Sequence, residues 1–176
     1  MKKLTFAICL TAALSAPAIA QTCKTDSIAP TQKAGQFLDN EDGTVTDIVN
    51  GLVWSKCSLG QTFADNSCTG SPTHIHSWQE ALTITENNKD YLGTTGWRLP
   101  NIKELSSLVE RSCTAPSINL EAFPSTPLGV YWSNTFDAKG TNSASGIKAL
   151  IVDFTDGSEF LKDVNTHRLV RLVKQL

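Results

Sequence analysis

An α+β fold, with two helices packed on antiparallel β-sheet and long loops stapled by disulfides, is what this sequence predicts. Three observations carry that expectation. Short β-type runs punctuated by Asp-Gly and Asn-Gly lie at both ends of the chain, two helix capping boxes lie between them, and four cysteines remain once a leader is set aside. The 176 residues fit one domain, and 40% hydrophobic against 18% charged residues fit a folded chain rather than a disordered one.

Residues 1–20 read as a secretory signal peptide. Lys2 and Lys3 form a charged start, Leu4 to Leu14 is apolar, and Ala18-Ile19-Ala20 is a small-x-small cleavage site. A lipoprotein reading fails because Thr22 stands before Cys23, where a lipobox wants Gly or Ala. Later segments lack the ~20 apolar residues of a membrane helix. The expectation is an exported, periplasmic or secreted protein cut after Ala20, with no membrane insertion. Residues 21–35 are an N-terminal extension and 36–176 the domain.

Phe37-Leu38-Asp39 and Thr44-Val45-Thr46 flank Asp42-Gly43, and Asn50-Gly51 turns the chain into Leu52-Val53-Trp54, so 36–55 reads as a β-meander. Ser77-x-x-Glu80 opens a helix reaching about Asn88. Asn101-x-x-Glu104 opens a second, with Ile102, Leu105, Leu108 and Val109 on one face. Gly93-Thr94-Thr95-Gly96 is a turn delivering Trp97, and Pro116, Pro124 and Pro127 mark a loop. Strands follow at 130–132, 149–154, 159–161 and 168–173. In the last, Leu169, Arg171 and Val173 share one side, and Val170 and Leu172 the other.

Cys23, Cys57, Cys68 and Cys113 form an even set in an oxidising compartment, which reads as two disulfides. Of three pairings, the favoured one joins Cys57 to Cys68 across a turn-rich loop, worth about 3 kcal/mol in the chain-entropy model. Cys23 then ties the N-terminus to Cys113. No C-x2-C spacing favours zinc or a redox dithiol.

Net charge is −2, and −4 without Lys2 and Lys3; no like-charge run exceeds two residues. Nucleic acid is therefore not an expected partner. The last 38 residues are mildly basic through Lys148, Lys162, Arg168, Arg171 and Lys174, which read as solvated strand positions.

The sequence carries no G-x-S-x-G, Walker loop, G-x-G-x-x-G or H-E-x-x-H, and an enzyme is not expected. His74-x-His76 places two imidazoles on one side of an extended segment, one pair short of a metal site, so no metal or cofactor is expected. Asp39, Asn40, Glu41, Asp42 and Asp47 resemble calcium ligands. Aligned on Gly43, however, the EF-hand pattern puts Leu38 first and Val49 twelfth, and fails. Glu104 and Glu110 have no signalled partner for glycosidase chemistry. Trp54 and Trp78 read as core; Trp97 and Trp132, where turns meet loops, are candidates for stacking on a ligand.

DGTVTDIVNGLVW (42–54), CSLGQTF (57–63), SWQEAL (77–82), GWRLPNIKELSSLVERSC (96–113), INLEAFPSTP (118–127) and YWSNT (131–135) occur in this order. The series resembles the Lcl C-terminal domain family, a bacterial domain of largely unknown function also found at the end of a collagen-like adhesin. The resemblance implies a C-type-lectin-like fold. It also implies export and, in the adhesin, binding of sulfated glycosaminoglycans by a trimer. This chain lacks the collagen repeat, and its negative charge suits a polyanion poorly. Many relatives carry a cysteine in the final strand, in an R-C-V-R pattern, where this chain has Arg-Leu-Val, so its disulfides differ. Leu99-Pro100-Asn101 and Trp132-Ser133-Asn134 depart from the lectin calcium motifs, so calcium-dependent sugar binding does not carry over.

The expectation is a non-catalytic binding or adhesion module that recognises glycans or a surface protein. The expected surface is the loop region between Cys113 and Lys148, with Trp97, Tyr131, Trp132 and Asn134 as binding residues. The alternative is a structural or assembly component of the bacterial envelope or a pilus.

Overall fold

The computed structural model describes residues 20–87, 91–138 and 146–176. The expected leader, Ala20 apart, and the expected end of the first helix near Asn88 lie outside the described residues.

Strand β1 (Thr22–Cys23) comes first, followed by the expected meander: β2 (Phe37–Asp39), β3 (Thr44–Asp47) and β4 (Leu52–Ser55). Gly43 and Gly51 both adopt positive φ, which an L side chain resists, and so allow the tight reversals. Val45 pairs with Trp54 and Thr46 with Val53. Next is a small hairpin, β5 (Thr62–Ala64) and β6 (Ser67–Thr69), clipped by the Cys57–Cys68 disulfide. Gly60 leads into it, and a Cβ there would stand 2.6 Å from the Thr73 nitrogen, so only glycine lets the two segments meet.

Helix α1 spans Trp78–Asn87 and α2 spans Ile102–Ser106. The second helix stops earlier than its apolar spacing suggests. The Ser107 hydroxyl donates to the Glu104 carbonyl, closing the turn, and Val109 then bridges Ile118 as extended chain. Leu105, Leu108 and Val109 are nevertheless all buried, so the apolar face survives without the helix.

Strand β7 (Cys113–Thr114) pairs with β1, and the Cys23–Cys113 disulfide joins them. Both cysteine pairs are those expected. The extension is sewn on further by Gln21, whose Nε2 donates to the carbonyls of Pro116 (2.6 Å) and Ile118 (2.7 Å).

The second large sheet has the order β10-β9-β8, with β8 (Val130–Phe136), β9 (Lys148–Asp153) and β10 (Ser158–Asp163), all antiparallel. The chain ends in β11 (Val173–Gln175), which completes the first sheet in the order β11-β4-β3-β2. Residues 168–173, expected as one strand, form none before Val173 because they change partner almost residue by residue. Arg168 exchanges backbone bonds with Ile75, the Leu169 carbonyl accepts from Trp132, the Val170 carbonyl from Leu59, and the Leu172 carbonyl from Ser55.

This segment separates two apolar clusters. Trp54, Tyr131, Phe154, Leu169 and Val173 belong to one; Val53, Trp132, Ile151, Val170 and Leu172 belong to the other. Neighbouring residues therefore face opposite clusters, as period-two geometry requires of a strand buried on both sides. Arg171, expected at a solvated edge, is fully buried on the Tyr131 side. That corrects the basic-surface reading at this position: residues 169–173 are all buried. No helix among the described residues is long and apolar enough to cross a membrane.

Breaking the longer disulfide tests the sewing of the extension. Replacing Cys23 and Cys113 by serine opens a covalent loop with a sequence separation of 90. The expected loss is about 2–5 kcal/mol of unfolding free energy in urea, with unchanged far-UV circular dichroism.

Candidate functional site

A cleft of about 520 Å³ opens where the extension crosses the first sheet. One wall is the strap 30–37. The floor is Phe37 and Asp39 on β2, Val45 on β3, and Lys56 just after β4. The far wall is Asn119, Glu121 and Ala122. Its volume lies in the ordinary range of small-molecule sites.

The strap is held by one carboxylate. Glu110 accepts from the backbone N–H groups of Thr31 (3.0 Å), Gln32 (3.2 Å) and Ser112 (2.9 Å), and from the Ser112 hydroxyl (2.6 Å). Gln32 Nε2 donates to the Leu108 carbonyl and Thr31 Oγ1 accepts from the Arg111 N–H. Burial pushes the Glu110 carboxyl up, but the donors from Ser112, Thr31 and Gln32 together outweigh it and hold the group below its ordinary value.

On the floor, the Lys56 ammonium is almost wholly buried, at 3% side-chain exposure, and pairs with the half-exposed Asp39 carboxylate. It also stands 4.8 Å from the Phe63 ring centroid. The hydrogen bond from Lys56, with the Glu41 N–H, holds Asp39 below its ordinary value. Phe37 is half-buried and meets Phe123 edge to face at 5.2 Å. The cleft thus offers an apolar patch ringed by amides and charges of both signs. Both of these carboxylates are biased towards ionisation, the opposite of a proton donor at neutral pH.

The residues expected to bind lie elsewhere. Tyr131 and Trp132 are fully buried and Trp97 is 3% exposed, so none of the three presents a ring face to solvent. Trp132 sits in the second cluster, and Trp97 is packed edge to face against Tyr91 with Lys174 above it. Tyr131 bonds Ser58 at 2.6 Å, and burial pushes its phenol up, against the pull of Arg171. Their position beside turns was a poor guide, because those turns fold inward. Asn134 is exposed, but its N–H donates to the Pro100 carbonyl (2.7 Å) and its side chain to the Leu99 carbonyl (3.3 Å). Of the loop region between Cys113 and Lys148, residues 139–145 lie outside the described residues, and the cleft uses only the 119–122 stretch.

The two most distinctive sequence words form one latch. In Trp97-Arg98-Leu99-Pro100-Asn101, Arg98 donates two hydrogen bonds to Glu104, one to each carboxylate oxygen at 2.7 Å, and Asn101 and Glu104 cap α2 reciprocally. Asn134 and Thr135 then clamp that corner, Thr135 Oγ1 accepting the Ile102 N–H at 3.0 Å. The pair Glu104 and Glu110 is split between these structural tasks. Asp42 and Asp47 are spent on turns, Asp42 on Thr44 and Asp47 on Val49 and Asn50. The signal for the cleft was Lys56, a lysine ending an apolar strand run, which sequence reading passed over.

Fold and cleft define a disulfide-stapled α+β domain with a polar recess. The model of the Lcl C-terminal domain matches residues 43–174, and the chain belongs to that family. No curated protein matches it.

The strap should answer to acid. Because the folded Glu110 carboxyl titrates below the unfolded one, its stabilisation is complete above the ordinary value of 4.5 and is lost as pH falls through the folded value. Glu110→Gln is expected to be less stable than the parent at pH 7 in urea titrations, with the gap closing below about pH 4.

Proposed function

We propose that this protein acts outside the cytoplasm as a non-catalytic binding module, C-type-lectin-like in fold, whose cleft seats a hydroxyl-rich ligand of the glycan class. The observation that carries the reading is the cleft itself. Its roughly 520 Å³ combine the half-buried Phe37 with amide, carboxylate and ammonium groups from Gln32, Lys33, Asp39, Lys56, Asn119 and Glu121. Sugars are bound by such mixtures: an apolar patch under a ring face and rigid donors and acceptors for hydroxyls. Rigidity comes from the Glu110 anchor and the Lys56–Asp39 pair. The two disulfides support a place outside the cytoplasm. Short helices, two larger antiparallel sheets and long loops tied by disulfides support the lectin-like description.

The test is a glycan array probed with the untagged protein, in parallel with pull-down from envelope extracts. Lys33 and Glu121 are exposed on opposite walls, so the double variant Lys33→Ala, Glu121→Ala keeps the fold. Glycan retention by the parent, weakened at least tenfold in the variant, is expected. Retention of a stoichiometric envelope protein without any glycan would replace this reading with that of an assembly component.

A further inference from the structure

We propose that His76 and His167, neither of which lines the recess described above, form a binding site for a borderline divalent transition metal such as Zn²⁺, Ni²⁺ or Cu²⁺. The Nδ1 of His76 lies 3.1 Å from Nε2 of His167, with the rings edge to face and 4.5 Å between centroids. The two residues are 91 positions apart in sequence, and the fold alone brings them together.

Their backbone placement explains the proximity. Ile75 and Arg168 exchange both main-chain hydrogen bonds, at 2.9 and 3.0 Å. In an antiparallel pair, the next residues along, His76 and His167, are then directly opposite each other at a position without such bonds, where side chains stand closest. Ile75 and Leu169 are buried on either side, and the Trp78 N–H donates to the Val164 carbonyl (2.8 Å), so both backbones are fixed while both imidazoles reach solvent. The pair is preorganised, and little ordering entropy opposes a ligand that joins the two rings.

The spacing fits coordination. Metal–nitrogen bonds of about 2.0–2.1 Å put two imidazole nitrogens about 3.3 Å apart in tetrahedral geometry and about 2.9 Å apart at a right angle. The observed separation falls between these values. Without metal, one ring N–H donates to the other ring's lone pair. On binding, the donor ring moves that proton to its other nitrogen, and both lone pairs turn to one cation by rotation of exposed rings. Imidazole pairs select borderline metals over Ca²⁺ and Mg²⁺, which take oxygen.

The surroundings carry both signs. Glu80 accepts the His76 backbone N–H at 3.0 Å and adds negative charge, while the Arg168 guanidinium, bonded to the His167 carbonyl, opposes it. No group of three or more His, Cys, Asp or Glu side chains converges among the described residues. Water completes the coordination sphere, and the site is an exchangeable one rather than a structural centre.

Isothermal titration of the untagged protein with Zn²⁺ and with Ni²⁺ tests the assignment, with Ca²⁺ as a control. One equivalent of each transition metal is expected to bind, at least tenfold more weakly in His76→Ala and in His167→Ala, with no heat from Ca²⁺. Both side chains are exposed, so the variants keep the parent's melting temperature without metal, and only the parent's temperature rises when zinc is added. Absence of zinc binding, or affinity within twofold of the parent in His167→Ala, would overturn the proposal.

Discussion

Arg171 sets the terms on which this molecule folds. Its guanidinium is fully buried. Nη1 donates to the carbonyls of Ser55 (2.9 Å) and Lys56, and Nη2 to the Thr126 hydroxyl (2.8 Å). The Phe123 ring centroid is 4.9 Å from the guanidinium carbon and that of Tyr131 6.0 Å. None of these hydrogen-bond partners is a carboxylate. Burial pushes the group down from its ordinary value, and Tyr131 pulls the other way. An arginine nonetheless keeps its charge in proteins. Main-chain dipoles and aromatic faces therefore hold a cation that water would otherwise solvate, and each contact must be in place for the burial to be tolerable.

That requirement explains the architecture around it. Residues 168–173 touch the cysteine loop, both large sheets and the approach to α1, and Arg171 is the one charged side chain of that segment sunk among the apolar ones. Lys56 couples this core to the cleft: its carbonyl accepts from Arg171 while its ammonium meets Asp39 on the floor. The residue that helps hold the guanidinium is thus the same one that supplies the cleft's buried cation. The opposite wall depends on the same centre, since Phe123 and Thr126, against Arg171, follow directly on Asn119 to Ala122.

Local chemistry was legible in the sequence. The meander followed from Asp42-Gly43 and Asn50-Gly51, the caps from Asn101 and Glu104, and the disulfide pairs from the turn formers between Cys57 and Cys68. Period two correctly put Leu169, Arg171 and Val173 together. What it did not convey was whether that side met water, because the partners of Arg171 lie 45 to 116 residues away. The same distance hid the cleft, assembled from a strap, a strand end and a loop, and the meeting of His76 with His167. Trp97 and Trp132 misled for a related reason: a ring beside a turn is exposed only when the turn faces outward. The distinctive words around Trp97 and Trp132 proved to be fold-making, so their specificity identifies a family rather than a ligand contact.

The most direct measurement of this account is the urea unfolding free energy of Arg171→Met, which keeps much of the volume but removes every donor. If the guanidinium is the tie described, the carbonyls of Ser55 and Lys56 are left unmatched, and the variant loses about 2–4 kcal/mol. A variant as stable as the parent, or more so, would show that the buried charge is a burden the apolar core outweighs, and would contradict the account.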